Sequence, residues 1–140
     1  MRGIDVMKLH VGEEEVKDKK VLMAFFEEYA HNNDIVVDPS TTPWCACMAN
    51  ACERAAGNKG TGLQNARSFL EYGTKIDPDS VQEGDILVFK RGDSNWQGHV
   101  TYYAGKTDDY GNLLCLGGNQ SDKVCYSWHT PRALIGVRRS

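Results

Sequence analysis

Two periodicities divide the chain. Up to Gly73, apolar residues recur at intervals of three and four, the spacing of one helix face. Over residues 13–31, Val16, Leu22, Phe25, Phe26 and Tyr29 follow that spacing, with Glu13, Glu14 and Glu15 where the helix dipole favours negative charge. Asn32-Asn33-Asp34 ends this segment, Ile35-Val36-Val37 is a short apolar run, and Asp38-Pro39-Ser40 turns the chain. Ala46, Met48, Ala49, Ala51, Cys52, Ala55 and Ala56 predict a second helix, small-faced enough to pack against a sheet and closing at Gly57-Asn58. Pro43, and the extended bias it imposes on Thr42, prevents an earlier start. Gln64 to Tyr72 predicts a third helix, with Ala66, Phe69 and Leu70 inward and Gly73 as its stop.

From Asp85 onward the pattern shortens to β-branched and aromatic runs: residues 86–89, 100–103, 113–116, 123–126 and 133–137. Turn clusters at 91–95, 108–112 and 117–122 separate the first four, and so short a spacing with no helical insert predicts an antiparallel meander. Pro78 to Gly84 reads as a connector. Helices first and about five strands second is an α+β layout. The chain divides into an N-terminal extension (1–12), a helical part (13–73) and an antiparallel sheet (85–138), all within one domain spanning 1–140.

Composition narrows the classes. At 140 residues, with 41% hydrophobic and 25% charged residues, the chain suits one soluble globular domain. A net charge of -3 gives no electrostatic case for a nucleic-acid partner. No apolar run approaches the ~20 residues of a membrane helix, so membrane insertion is not expected. The first residues, Met1-Arg2-Gly3-Ile4-Asp5-Val6, have no apolar core behind them, so no signal peptide is expected. Five cysteines, an odd number, weigh against a disulfide framework. Cys45, Cys47 and Cys52 match no zinc spacing, and Cys115 and Cys125 are expected to be reduced core residues able to face each other across a hairpin. Asp34 and Asp38 lack a calcium-loop pattern and read as turn residues and helix-end partners. The loop Gly57–Gly62 lacks the Walker lysine spacing.

The candidate chemistry centres on Cys45, which follows Pro43-Trp44 at the start of the second predicted helix. Unpaired N–H groups and the dipole there favour an anion, an environment expected to lower a thiol pKa. The same position also suits a small buried hydrophobe. A thiol nucleophile needs a base, and histidine titrates in the right range. His10 and His31 sit in polar surroundings that fit surface positions, and His129 precedes Thr130-Pro131 in an expected loop. His99 opens a strand after Gly98, where it either points toward the Cys45 helix or is merely satisfied at a strand end. Gly117-Gly118-Asn119-Gln120 closes the next strand, and its amides either orient an imidazole or make an ordinary hairpin turn.

A cysteine at the first core helix, a histidine opening a strand and a polar residue ending the next follow papain-type order. Thr42-Pro43-Trp44-Cys45-Ala46, Gly60-Thr61-Gly62 with Ala66-Arg67-Ser68, residues 84–89, Trp96-Gln97-Gly98-His99-Val100 and Leu116-Gly117-Gly118-Asn119-Gln120 carry a resemblance. From Thr42 to Arg138 the chain resembles the CHAP-type and NlpC-type papain-like cysteine amidohydrolases and peptidases, which cut peptidoglycan. The resemblance implies Cys45 as nucleophile, His99 as base and Asn119 as the residue that orients the imidazole, with Gln120 in reserve. Many CHAP enzymes have a glutamate two positions before that asparagine; this chain has Gly117, which implies an amide in place of a carboxylate. Trp44 and Trp96 flank the two catalytic positions, and they with Gln120 are expected to bind substrate, although either tryptophan also suits a core.

The implied function is hydrolysis of an amide bond in bacterial peptidoglycan by a monomer without metal or cofactor. A single catalytic domain resembles a phage endolysin for a Gram-negative-type host, made in the cytoplasm and released by a holin. Alternatives are a virion-associated lysin, an antibacterial toxin of the same fold, a non-catalytic wall-binding or assembly module, and a zinc-binding interaction domain.

Overall fold

The computed structural model describes residues 1–30 and 37–140. The expected helix end at 31–34 and the run Ile35-Val36, with His31 and Asp34, lie outside the described residues. In chain order come α1 (Gly3–Lys8), α2 (Lys19–Tyr29) and α3 (Cys45–Ala55), a 3-10 helix at Ala66–Glu71, and the strands. These are β1 (Thr74–Ile76), β2 (Ile86–Lys90), β3 (Gly98–Thr107), β4 (Leu113–Gln120), β5 (Lys123–His129) and β6 (Leu134–Arg139). They form one antiparallel sheet in the order β1-β6-β2-β3-β4-β5. The α+β architecture is as expected, with six strands in place of about five. β2 to β5 form the expected meander, but β6 returns to the far edge of β2 and β1 pairs outside it.

α3 is the centre of the fold. Every residue from Cys45 to Glu53 is buried, because the helix lies between α1 and α2 on one side and β3 and β4 on the other. A helix enclosed on both sides needs small residues to let its neighbours approach, which its alanines and cysteines supply. The same pressure acts on the sheet. A Cβ at Gly118 on β4 would stand 2.8 Å from Trp44 and 2.9 Å from Met48, so only glycine lets the strand pass. Alternation on β2 sends Ile86 and Val88 into this core, and Leu87 and Phe89 into a second core on the opposite face with Tyr103, Leu113, Cys115 and Val137.

Polar anchors fix α3 along its length. Trp44 donates its indole N–H to Glu15 at 3.2 Å. The buried Asn50 accepts from Thr61 N–H at 2.6 Å and donates to the Leu63 carbonyl at 2.9 Å, which shapes the glycine-rich loop. Glu53, fully buried, accepts from the hydroxyls of Tyr102 and Tyr72.

Several local expectations are corrected. Residues 13–18 are turns with an isolated bridge from Glu14 to Lys123, and Val16 is exposed. Two backbone bonds, from Gly12 to Val124 and from Val124 to Glu13, hold this segment against β5, and that tertiary pairing overrides the helical pattern. The N-terminal extension contains α1, whose Ile4 and Met7 are fully buried. The third helix is shorter than read and of 3-10 type. Gly117–Gln120 belong to β4, and the hairpin turns at Ser121-Asp122, both in the left-handed region. Asp38 is a turn residue and helix-end partner as expected, accepting from Ser40 and pairing with Lys19 at the start of α2. Gly118→Ala is expected to destabilise the fold by roughly 1–3 kcal/mol through overpacking, read as a lowered urea midpoint.

Candidate active site

Cys45 is the first residue of α3, directly after Pro43-Trp44. The Trp44 side chain does not cap this helix end, and the backbone N–H groups that act on the sulfur are those of Val100, Ala46 and Cys45 itself. Burial pushes the thiol pKa up and outweighs these N–H groups and the charge of Arg91, which favour the thiolate. The expected lowering at the helix N-terminus is therefore overturned. Cys45 opens into a cleft of about 290 Å³ lined also by Thr42, Pro43, Gln64, Asn65, Ala66, Arg91, Trp96, Gln97 and Gly98.

His99 lies elsewhere than expected. Its neighbour Val100 faces α3, whereas His99 pairs across the strands with Phe89, whose side chain belongs to the second core. The imidazole thus starts from the sheet face away from the helix, and no hydrogen bond joins it to Cys45. It opens into a second cavity, of about 390 Å³, lined also by Lys90, Arg91, Asn119, Gln120, Ser127 and His129. Arg91, just after β2, lines both cavities.

The group that orients His99 is Gln120. Its Nε2 donates to the carbonyls of Cys125 at 2.6 Å and Cys115 at 3.3 Å, which fixes the amide's orientation. Its Oε1 is then left as an acceptor, 2.9 Å from His99 Nε2 and 3.0 Å from His129 Nε2. Both rings therefore carry a proton on Nε2, and His99 Nδ1 keeps a lone pair. Arg91 donates to that Nδ1 at 3.4 Å. Burial, with the Arg91 charge adding to it and the Gln120 bond opposing it, lowers the His99 pKa to about 4. Burial and the charges of His99 and Arg91 bring His129 to about 4 as well.

The expected site residues thus part company. Asn119 reaches the rim of the His99 cavity in a left-handed conformation, and Gln120, expected only in reserve, takes the orienting position expected of Asn119. Crowding explains why Gly117 carries no glutamate: a Cβ there would lie 2.6 Å from Thr101 Oγ1 and 3.0 Å from Gln120 Oε1. That Thr101 oxygen is buried and unpaired among the described residues. Trp44 is fully buried against Phe26 and belongs to the core, whereas Trp96 is 69% exposed and lines the Cys45 cleft. His10 is half-buried, 2.8 Å from Glu13 and stacked on Phe25, in place of the expected surface position. Cys115 and Cys125 are free, but their cross-strand partners are Ser127 and Gly117, so they do not face each other.

His129 and Arg91 were missed. The alternation of β5 runs on to His129, which pairs with Leu113 and stacks 5.2 Å from His99; the Thr-Pro that follows had marked it as loop. Among the described residues no group of three or more His, Cys, Asp or Glu is placed to hold a metal ion, and no helix is long and apolar enough to cross a membrane. No protein-family model matches this chain, and no curated protein sequence matches it.

The neutral imidazoles make stability depend on pH. The folded His99 pKa of about 4 lies below its ordinary 6.5, so the unfolded chain binds more protons between them. Stability from this group is full above pH 6.5 and is lost as pH falls toward 4, by about 3 kcal/mol. Urea unfolding across that window, wild type minus His99→Asn to cancel the carboxylates, is expected to show this slope; a flat difference contradicts a neutral buried imidazole.

Proposed function

We propose that the protein is a cysteine amidohydrolase or peptidase of papain-like type acting on bacterial peptidoglycan. The observation that carries this reading is the Gln120 bond to His99 Nε2, which leaves the Nδ1 lone pair, met only by Arg91 among the described residues, as the ring's proton acceptor. The resting pair is a neutral thiol and a neutral imidazole, since burial disfavours the charge on each. His99 Nδ1 removes the thiol proton as sulfur attacks the amide carbonyl. Backbone N–H groups at the start of α3 receive the developing oxyanion. The imidazolium returns its proton to the leaving amine and leaves a thioester on Cys45. Water, deprotonated by His99, then releases the acid and restores the thiol. Because Arg91 stands at Nδ1, it moves aside before the thiol and imidazole meet; such contacts are often incomplete before substrate binds.

A second reading, a wall-binding module that keeps the fold, is favoured by the absence of a Cys45–His99 hydrogen bond. Clearing of purified peptidoglycan, with mass spectrometry of the fragments, separates the two. Hydrolysis is expected, with loss of roughly 10²–10⁴-fold in His99→Ala and a still larger loss in Cys45→Ala. Clearing that is equal in wild type and Cys45→Ala makes the cysteine structural; no clearing by either favours the binding module. The new chain ends name the bond, and the genetic neighbourhood separates an endolysin from a virion lysin or a toxin.

The pH profile tests the base. With His99 near 4, kcat/KM is expected to hold through neutral pH and to fall on the acid side near pH 4. Gln120→Glu sets a carboxylate between two imidazoles and is expected to move that limb to higher pH. An acid limb near 6.5 in the wild type contradicts a desolvated His99 as the base.

A further inference from the structure

We propose that Arg91, with Lys90 beside it, forms a carboxylate subsite, and that the ligand is a peptide with a free carboxylate close to the amide presented to Cys45. The proposal rests on reading the two cavities as one substrate groove. Among the described residues neither cavity is lined by an aspartate or glutamate, although the chain has 19 acidic residues against 16 basic ones. What charge they present is positive: Lys90 and Arg91 in one, Arg91 in the other.

Arg91 is also poorly employed for an arginine. Arg2 and Arg139 hold carboxylates, and Arg54, Arg67 and Arg138 hold backbone carbonyls. Arg91 is exposed, makes no ion pair with any described carboxylate, and donates one long bond to an uncharged ring nitrogen. A carboxylate offers the guanidinium fork two parallel charge-assisted bonds, each roughly twice as strong as a neutral one. Exchanging the imidazole contact for a carboxylate is therefore favourable. It also draws Arg91 off His99 Nδ1, so the group that recognises substrate is the one that uncovers the base.

The test uses the full chain as Cys45→Ala, which binds without turning over. Two synthetic stem tetrapeptides are titrated in, one with free carboxylates and one with every carboxylate amidated, and the His99 ring nitrogens are followed by NMR. The free acid is expected to bind about tenfold tighter, with a shift at His99 Nδ1 as Arg91 leaves it. Added Arg91→Gln is expected to abolish the preference, Arg91→Lys to retain part of it, and Lys90→Gln to reduce it. Equal binding of the two peptides, or a preference that survives Arg91→Gln, overturns the proposal. Hydrolysis by protein with Cys45 intact is scored separately: preference without cleavage keeps the subsite and removes the hydrolase reading, and cleavage without preference does the reverse.

Discussion

The fold depends on holding α3 between two layers. A helix buried on every side brings its polar groups with it, and each must find a partner inside the protein. Glu53 states the constraint most sharply, because a fully buried carboxyl group is tolerated only when its oxygens are bonded. Two tyrosine hydroxyls meet it, Tyr102 from β3 and Tyr72 from beyond the 3-10 helix, and burial keeps both hydroxyls protonated as donors. The bonds tie the C-terminal end of α3 to the sheet and to the segment that leads into β1. Removing one partner of such a buried set leaves the other unsatisfied, at a cost of roughly 1–3 kcal/mol. With Asn50 fixed to the following loop and Trp44 to Glu15, the helix has no freedom to slide. Cys45 is held at the end of β3 as a consequence.

Gln120 does for the imidazoles what Glu53 does for the helix. An amide differs from a carboxylate in having one end that donates and one that accepts. Here the donating end is committed to two backbone carbonyls of β4 and β5, so the strands themselves dictate the tautomers of His99 and His129. A carboxylate in the same place would draw protons onto both rings. The amide imposes orientation without charge, which suits two rings that burial already keeps neutral.

Legibility in the sequence followed how local each feature is. The span of α3 was readable because Pro43 marks its start, Gly57-Asn58 its end, and the small residues between have no other use at helical spacing. The strands from 86 onward were readable for the same reason. Residues 13–18 misled because their acidic and apolar pattern is helical, while pairing to β5 is a contact with residues more than a hundred positions away. β1 is three residues long with no apolar signal of its own, and exists because β6 offers an edge. At the site, Cys45, His99 and Gln120 were all marked by their neighbours, but Asn119 and Gln120 are adjacent in a strand. Which of two adjacent amides faces the histidine is a question of strand parity, set by the register of β4 at its irregular end. Arg91 was hidden inside a turn cluster, since nothing local tells a solvated arginine from one that bridges two cavities.

The separation of Cys45 and His99 onto opposite faces of the sheet follows from the same parity. Val100 must face α3 to fill the core, so His99 one residue earlier must start from the other side. Meeting is then possible only where the sheet ends, at Gly98, which lines the Cys45 cleft. Arg91 occupies that end. A cation there lowers the proton affinity of both partners: it opposes charging of the imidazole and favours the thiolate. In the proposed mechanism its departure raises the proton affinity of His99 and of the thiol alike as the path between them opens, so access and proton affinity change together through one side chain.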